Sequence, residues 1–280
     1  MKELSGKVAV ITGAAEGIGR AIARRAAGEG MSLVLADIDQ GGLDALAGEM
    51  AAAGTACLAL RTDVSDPQAV DALADAAFAR FGAVHLLVNN AGVAVAKSVW
   101  ETTPRDWDWV MGVNFHGVTN GLRAFVPRML EGGQPGHIVN TASIAGLLSV
   151  PALAAYNASK FAVVTVSEGL HHDLTLRGAP IGVSVLCPSW VKTRIADSSR
   201  HRAEADRVDP ATLSGVSQKA GLAILKAVEA GITPEQVADS VFEAVAEERF
   251  YILTHPQSRA AVEIRMTDIL QDRKPTLLSF

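Results

Sequence analysis

The chain has 280 residues, of which 49% are hydrophobic and 20% charged, and its formal net charge is −5. Such a composition can bury a sizeable core and excludes wholesale disorder. The charges of both signs are scattered, so neither a nucleic acid nor a basic macromolecular partner is expected, and no apolar stretch is long enough to span a membrane.

In chain order, the opening "MKELSGKVAVITGAAEG" runs from a short apolar stretch into a glycine-rich turn with no small-residue cleavage pattern. It does not read as a signal peptide, and a soluble cytoplasmic protein is expected. "KVAVIT" (7–12) predicts a strand, and "IGRAIARRAAGEG" (18–30) predicts a helix ending at glycine. "SLVLAD" (32–37) is a second strand, 42–54 an alanine-rich helix, and "ACLALRTD" (56–63) a third strand. A helix follows over 66–82, with Asp66 as N-cap and Pro67 at its first position. "VHLLVNNAG" (84–92) is a strand running into a polar turn. One long helix is expected over 107–130, a strand over 137–143, a helix over 152–176 and a strand over 181–189. A Thr/Gln capping box opens a helix over 233–248, and "FYILT" (250–254) is a seventh strand.

This alternation predicts one parallel sheet with helices on both faces. No composition break marks a second domain. The segment at about 194–231 is charged, contains glycine and lacks strand signals, and such insertions commonly act as lids or binding loops. Cys57 and Cys187 each sit in an apolar, strand-like run, which suits free thiols in a reducing compartment better than a disulfide. His171 and His172 are adjacent rather than spaced as ligands, so no metal is expected and both are read as a solvated helix end. Met111 and Met129 are read as core.

"TGAAEGIG" (12–19) lies between the first strand and the first helix, with glycines at 13, 17 and 19. A plain turn would use glycine too. In this position, however, glycines let the backbone approach a pyrophosphate, and the helix N-terminus stabilises its charge. The spacing GxxxGxG is a variant of the dinucleotide fingerprint. Asp37 ends the second strand 18 residues after Gly19, where an acidic group accepts hydrogen bonds from ribose hydroxyls. A 2′-phosphate there would meet Asp37 and Glu16. Residues 13–18 contain no Arg or Lys, and Arg20 is the nearest cation along the chain. NAD is therefore expected in preference to NADP.

Six segments fall in a characteristic order: "TGAAEGIG", "NNAG" (89–92), Asn114 within "GVNFHG", Ser143, "YNASK" (156–160) and "PSWVKT" (188–193). In these segments the chain resembles the short-chain dehydrogenase/reductase family in its compact form, from about 7 to 193 and more loosely through 254. The resemblance implies an α/β fold: a Rossmann-type doubly wound sheet of about seven parallel strands with helices on both faces. It implies a single NAD(P)-binding domain over 1–280, with a substrate lid at about 194–231 and a short C-terminal extension at 255–280. It implies a catalytic tetrad of Asn114, Ser143, Tyr156 and Lys160. The cofactor would lie against Gly13, Glu16, Gly17, Ile18 and Gly19, with Asp37 at the ribose and Asp63 and Val64 near the adenine. Asn90, Ala91 and Gly92 would flank it, with Tyr156, Lys160, Pro188, Val191 and Thr193 at the nicotinamide end. Lys160 would bind the ribose hydroxyls, and Asn114 would help hold a water linking Lys160 to solvent. Relatives use the helices at 107–130 and 152–176 to form homodimers or homotetramers. One departure is Pro188-Ser189-Trp190, where the family often has Pro-Gly; this changes the shape of the pocket nearby.

The chemistry explains why these residue types belong together. Oxidising an alcohol removes a hydride from carbon and a proton from oxygen. The protein must take that proton. A free tyrosine has a pKa of about 10, too high for an efficient base near neutrality. A lysine ammonium one helical turn away favours the phenolate and lowers that value. Ser143, at a strand end, would hydrogen-bond the substrate oxygen.

The expected activity is NAD-dependent interconversion of a secondary alcohol and a ketone. Trp190, Leu147, Leu148, Val95 and the apolar residues of the 194–231 segment would form an apolar wall, so a bulky or aromatic hydroxyl compound is expected, with a steroid or acyl-chain ketone as the alternative. "DWDWVMGVN" and "YILTHP" resemble the branch that contains aryl-ether Cα-dehydrogenases. A non-catalytic NAD-binding regulator would be expected to lack Tyr156 or Lys160. A sugar-nucleotide epimerase would have a different glycine turn and a larger C-terminal domain.

Overall fold

The apolar run at 7–12 forms strand β1 (Val8–Thr12), and its alternate residues serve two cores. Ala9 and Ile11 pack with Ile22, Leu43 and Val241, while Val8 and Val10 pack with Val70, Leu73 and Phe125. A strand covered on both faces needs a continuous apolar sequence rather than an alternating one, and "VAVI" meets that need. The same holds for the centres of β2 (Ser32–Asp37) and β4 (Leu86–Asn89), whereas β5 (Gly136–Thr141) and β6 (Ile181–Cys187) are buried but carry the polar residues His137, Asn140 and Ser184 among their apolar ones. The strands β3 (Cys57–Arg61) and β7 (Tyr251–Leu253) form the edges. A computed structural model describes residues 1–278. All seven strands pair in parallel in the order β3-β2-β1-β4-β5-β6-β7. This is a Rossmann-type doubly wound sheet. Strand order reverses between β1 and β4, so successive crossovers run to opposite sides and open a crevice at the carboxyl ends of the central strands.

The helices, in chain order, are α1 (Gly17–Gly28), α2 (Gln40–Ala52), α3 (Pro67–Phe81), α4 (Pro104–Met111), α5 (Gly117–Gly132), α6 (Ala154–Leu176), α7 (Gly215–Glu229), α8 (Pro234–Glu247) and α9 (Ser258–Leu270). Helices α1, α2 and α8 cover one face of the sheet; α3, α5 and α6 cover the other. The expected helix signals act locally. Asp66 accepts from Gln68 N with Pro67 at the first position, and Thr233 and Gln236 form a reciprocal capping box. Cys57 and Cys187 are free thiols. Met129 is buried, whereas Met111 is only half-buried. No helix among the described residues is long and apolar enough to cross a membrane.

Three expectations need correction. The helix expected over 107–130 begins earlier, at Pro104, because Thr103 and Asp106 form a capping box there. It is also interrupted: Gly112–His116 is a π turn, closed by Gly117 N donating to Gly112 O, before α5 begins. The segment at 194–231 is not irregular throughout. After short 3₁₀ turns it contains the 15-residue helix α7, opened by Ser214 accepting from Ser217 N. The C-terminal extension contains α9, whose apolar residues are too dispersed around the helix to give a stripe. Ile264, Met266, Ile269 and Leu270 stay exposed. Residues 279 and 280 of that extension lie outside the described residues.

One close approach fixes α6 relative to β5. The 3₁₀ turn Ile144–Gly146 follows β5, and a Cβ placed on Gly146 would lie 2.6 Å from Lys160 O and 2.9 Å from Lys160 C. That backbone has no free space to yield. Gly146→Ala is expected to cost about 1–3 kcal/mol by overpacking. Gly28→Ala, where a Cβ meets nothing within 4 Å, is expected to leave stability unchanged or raise it slightly. Urea denaturation of the two variants beside the parent measures both effects.

Candidate active site

The site begins with a backbone that approaches its neighbour too closely for side chains. Gly13 (φ +63°) and Gly17 (φ +54°) both adopt the left-handed region. A Cβ on Gly13 would lie 2.8 Å from Ala91 Cα, and one on Gly19 would lie 2.7 Å from Asn90 Nδ2. The "NNAG" turn is joined to this turn by hydrogen bonds. Thr12 Oγ1 accepts from Asn90 N at 2.9 Å and from Ala91 N at 3.1 Å. Asn90 Nδ2 donates to Thr12 O at 3.1 Å and to Gly13 O at 3.2 Å. Asp37 supports the turn from the other side: its Oδ2 accepts from Ala15 N at 2.9 Å and its Oδ1 from Asp39 N at 3.0 Å.

The crevice widens into a cavity of about 760 Å³. Gly13, Glu16, Gly17, Ile18, Asp37, Asp63, Val64, Asn90, Ala91 and Gly92 line one end of it. Ser143, Tyr156, Lys160, Pro188, Val191 and Thr193 line the remainder. Two of the expected site residues do not line it. Gly19 lies behind the turn, where its missing Cβ makes room for Gly13 and Asn90. Asn114 is fully buried in the π turn, with Oδ1 accepting from Val93 N at 2.8 Å and Nδ2 donating to Val93 O at 2.9 Å and Ser159 Oγ at 3.0 Å. Its amide is engaged in holding the irregular segment after "NNAG" against α6.

Tyr156 and Lys160 lie one turn apart on α6, and Lys160 Nζ is 5.6 Å from the centre of the Tyr156 ring. Lys160 is 3% exposed. Nζ donates to Thr141 O at 2.8 Å, and among the described residues no carboxylate pairs with it. Burial lowers its pKa to about 8, with Cys187 as a smaller opposing influence. Burial also pushes the Cys187 thiol up to about 12, so that group stays neutral. Tyr156 is half-buried, and burial raises its pKa above the ordinary value, with the Ser143 hydrogen bond offsetting only part of the rise; the lowering expected from Lys160 is not found, because loss of water around the phenol outweighs it. Ser143 Oγ accepts from Ala145 N at 3.1 Å, which aims the hydroxyl at the head of the 3₁₀ turn.

These features fit a dinucleotide. The first-turn N–H groups of α1 have no side-chain cap, since Glu16 at the N-cap position makes no such bond. A helix N-terminus left open beside left-handed glycines is suited to phosphate. Lys160 uses one of its three donors on Thr141 O, which leaves donors for hydroxyl groups. Asp37 retains free lone pairs at the cavity wall. Among the described residues no cluster of three or more His, Cys, Asp or Glu could hold a metal.

The apolar wall differs from expectation. Trp190 lines the cavity, but Leu147, Leu148 and Val95 do not. Leu148 and Val95 are buried, and Val95 packs with Val110 and Ala155. In their place stand Val93, Trp109, Val113, Val150 and Leu153, while the 194–231 segment supplies Ile195, Ile224 and Val228 as expected. Arg20 touches the glycine turn, with Nη1 donating to Ala15 O at 3.4 Å, and also pairs with Glu49 at 3.0 Å. A second cation joins it: Arg200, 184 residues from Glu16 in sequence, pairs with Glu16 and lines the cavity. Arg194 lies 3.8 Å from Glu16. No local spacing announces such contacts.

A buried ion cluster ties the same segment to α4. Asp106 Oδ1 accepts from Arg202 Nη1 at 2.6 Å, and Oδ2 accepts from Lys97 Nζ at 2.6 Å, Thr103 N at 3.0 Å and Thr103 Oγ1 at 2.9 Å. Burial alone would raise the Asp106 pKa; the Lys97, Arg202 and Thr103 bonds outweigh it and hold the carboxyl at about 2.

The chain was compared with known proteins. A family model described as short chain dehydrogenase matches residues 7–204. A short-chain dehydrogenase/reductase from Burkholderia phymatum, solved in complex with NAD, superposes with a TM-score of 0.96 at 50% identity, covering 100% of both chains. A "CLA biosynthesis dehydrogenase/reductase" of Lactiplantibacillus plantarum is 36% identical over 98% of this chain and 97% of its own length. A "C alpha-dehydrogenase" of a Sphingobium species is 34% identical over 98% of this chain and 89% of its own length.

The Asp106 cluster makes a testable contribution to stability. A carboxyl whose folded pKa lies below its unfolded value stabilises the fold above that value and ceases to do so as pH falls through the folded pKa. For Asp106 that window runs from 3.8 down to about 2. Asp106→Ala is expected to lose about 3–5 kcal/mol near neutrality, since it leaves two buried cations unpaired. The deficit relative to the parent should shrink toward pH 2. Denaturant titrations at several pH values measure it.

Proposed function

This chain belongs to the short-chain dehydrogenase family and is an NAD(P)-dependent oxidoreductase; from that premise we propose that it interconverts a secondary alcohol and a ketone with NAD, using Tyr156 as the acid/base. The observation that carries this reading is the Tyr156–Lys160 pair at the cavity wall, with the ammonium 5.6 Å from the phenol ring centre.

Bound in the crevice, the nicotinamide would accept or return the hydride. The remaining work belongs to the chain. Tyr156 takes the proton from the alcohol oxygen, or gives it to the carbonyl oxygen in reverse. Burial opposes its ionisation; the Lys160 ammonium, 5.6 Å from the ring centre, and the positive nicotinamide when bound would favour the phenolate. Lys160, with donors to spare, holds ribose hydroxyls and thereby orients the cofactor beside Tyr156. Ser143 hydrogen-bonds the substrate oxygen and stabilises charge developing there. Asn114 acts on this geometry by fixing Val93 and Ser159 in place. It would also support the water that links Lys160 to solvent.

Gly13, Gly17, Ile18 and the open end of α1 would hold the pyrophosphate, with Gly19 giving the turn its room. Asp37 would accept from the ribose, Asp63 and Val64 would flank the adenine, and Asn90, Ala91 and Gly92 would lie along the cofactor. Pro188, Val191 and Thr193 would meet the carboxamide. A 2′-phosphate would face Asp37 and Glu16; Arg200 is already paired with Glu16, so NAD is the preferred cofactor. The segment at 194–231 acts as the substrate lid of one domain over 1–280. Its apolar residues, with Trp109 and Trp190, favour a bulky or aromatic hydroxyl compound. A homodimer or homotetramer built on α5 and α6 is the expected assembly.

Tyr156→Phe is expected to lower kcat by about 10²–10⁴-fold with NAD affinity unchanged. Full activity in that variant would refute the mechanism. Asp37→Ser is expected to shift the NAD/NADP ratio of kcat/KM toward NADP by about tenfold, equivalent to about 1.4 kcal/mol. Both are read from nicotinamide absorbance with a panel of aryl and alkyl secondary alcohols.

A further inference from the structure

The cluster around Asp106 is not balanced in charge. Asp106 is one anion, and it meets two cations, Lys97 and Arg202. The Asp106 and Arg202 side chains are almost wholly buried and that of Lys97 is 12% exposed, so this corner of the cavity wall carries an excess of one positive charge that solvent reaches only in part. The neighbouring charges do not cancel it. Arg105 and Asp206 pair with each other at 2.6 Å, and Asp108 is an exposed rim residue. A buried charge without a counter-ion is unfavourable, and a site that retains one is poised for an anion.

Arg202 is placed to receive it. The residue is 8% exposed and lines the cavity. Its Nη1 is committed to Asp106 Oδ1 at 2.6 Å, and its guanidinium carbon lies 4.8 Å from the centre of the Trp109 ring. Nε and Nη2 make no hydrogen bond among the described residues. They are also not among the sealed, unpartnered polar atoms of the fold, which are Arg20 Nε, Asn89 Oδ1, Asn157 Oδ1 and Trp190 Nε1. The free edge of the guanidinium therefore opens into the cavity. That edge carries parallel N–H donors, the arrangement that accepts a carboxylate in two-point fashion. Asp106 and Trp109 hold the plane of the group, so little freedom is lost on binding.

We propose that Arg202 is an anion subsite of this cavity that takes a carboxylate on the substrate. The substrate class becomes a hydroxy or keto acid. Its apolar body lies along Val93, Trp109 and Val113, its acid group reaches Arg202, and its carbinol carbon reaches Tyr156. The proposal rests on reading the cavity as the alcohol/ketone site. It narrows the substrate from a bulky hydroxyl compound to one with charge at the end remote from the reacting carbon.

The test uses the full chain with NADH and para-acetylbenzoate, homologues with longer carboxyalkyl arms, and the methyl ester of each. At least one acid should be reduced with kcat/KM about 10- to 100-fold above that of its ester, and the advantage should decline with added salt. Arg202→Gln should bring the acid/ester ratio to about one, chiefly through KM for the acid, and Arg202→Lys should restore part of it. A merely structural role for Arg202 would lower acid and ester alike and leave the ratio unchanged. Should Arg202→Gln fail to fold, the parent's acid/ester ratio and its salt dependence decide alone. Esters reduced as well as acids throughout the series would overturn the subsite and leave the oxidoreductase reading standing. Acids that stabilise the NADH-loaded protein against heat in an Arg202-dependent way, with no member of the series and no simple ketone reduced, would support the subsite and overturn the alcohol/ketone reading. If no member of the series is turned over and none stabilises the NADH-loaded protein against heat, the subsite is overturned.

Discussion

The buried ammonium of Lys160 is the constraint around which the rest of the site is arranged. An ammonium taken out of water without a carboxylate partner is costly, and the fold carries that cost at one position on α6. Burial lowers its pKa to about 8, and Thr141 O supplies its one protein acceptor. That acceptor lies at the end of β5, so the charge is held where the central strands end and the crevice opens. Everything nearby keeps Lys160 from escaping to solvent. The turn at Gly146 presses its backbone on one side, and Gly92 lies against Nζ and Asn114 on the other.

Holding a charge there requires α6 to be fixed, and buried polar contacts do that. Asn89 Nδ2 donates to Asn140 Oδ1 at 2.9 Å, Asn140 Nδ2 donates to Ser167 Oγ at 3.0 Å, and Ser167 Oγ donates to Val163 O at 2.7 Å. The chain runs from β4 through β5 into α6. Apolar packing alone would allow the helix to slide; directional bonds specify one register. The π turn at Gly112–His116 adds a second tie, since its wider backbone brings Asn114 to Val93 and Ser159 together. Thr12 and Asn90 make the equivalent tie between the glycine turn and the "NNAG" turn. The catalytic and cofactor-facing parts of the cavity are thus parts of one hydrogen-bonded frame.

The 194–231 segment attaches to that frame differently, through charge. Arg200 and Arg194 face Glu16 at the glycine turn, and Arg202 meets Asp106 on α4. The Arg194 contact is exposed and contributes little in water. The Asp106 contact is buried, where loss of one partner leaves the others unsatisfied. One strong anchor and weaker surface contacts hold the inner edge of this segment more firmly than its outer edge. This segment also contributes much of the apolar wall, so the fit of a substrate depends on an element that the central sheet does not specify.

The sequence by itself determined the sheet, the order of its strands and helices, and the residues of the glycine turn and the Tyr156–Lys160 pair. The reason is that these features are local: apolar runs, caps, left-handed glycines and one helical turn are set by neighbours a few residues apart. The tertiary structure alone decided that Gly19 and Asn114 stand behind the cavity, and that Trp109 and Arg202 form its wall where Leu147, Leu148 and Val95 were expected. It also decided that Arg200 rather than Arg20 meets Glu16. Those outcomes depend on contacts between residues about a hundred or more positions apart, or on which side of a helix faces a cleft that exists only once the sheet has formed. Charge pairing and pocket shape are properties of the assembled fold, and no spacing along the chain encodes them.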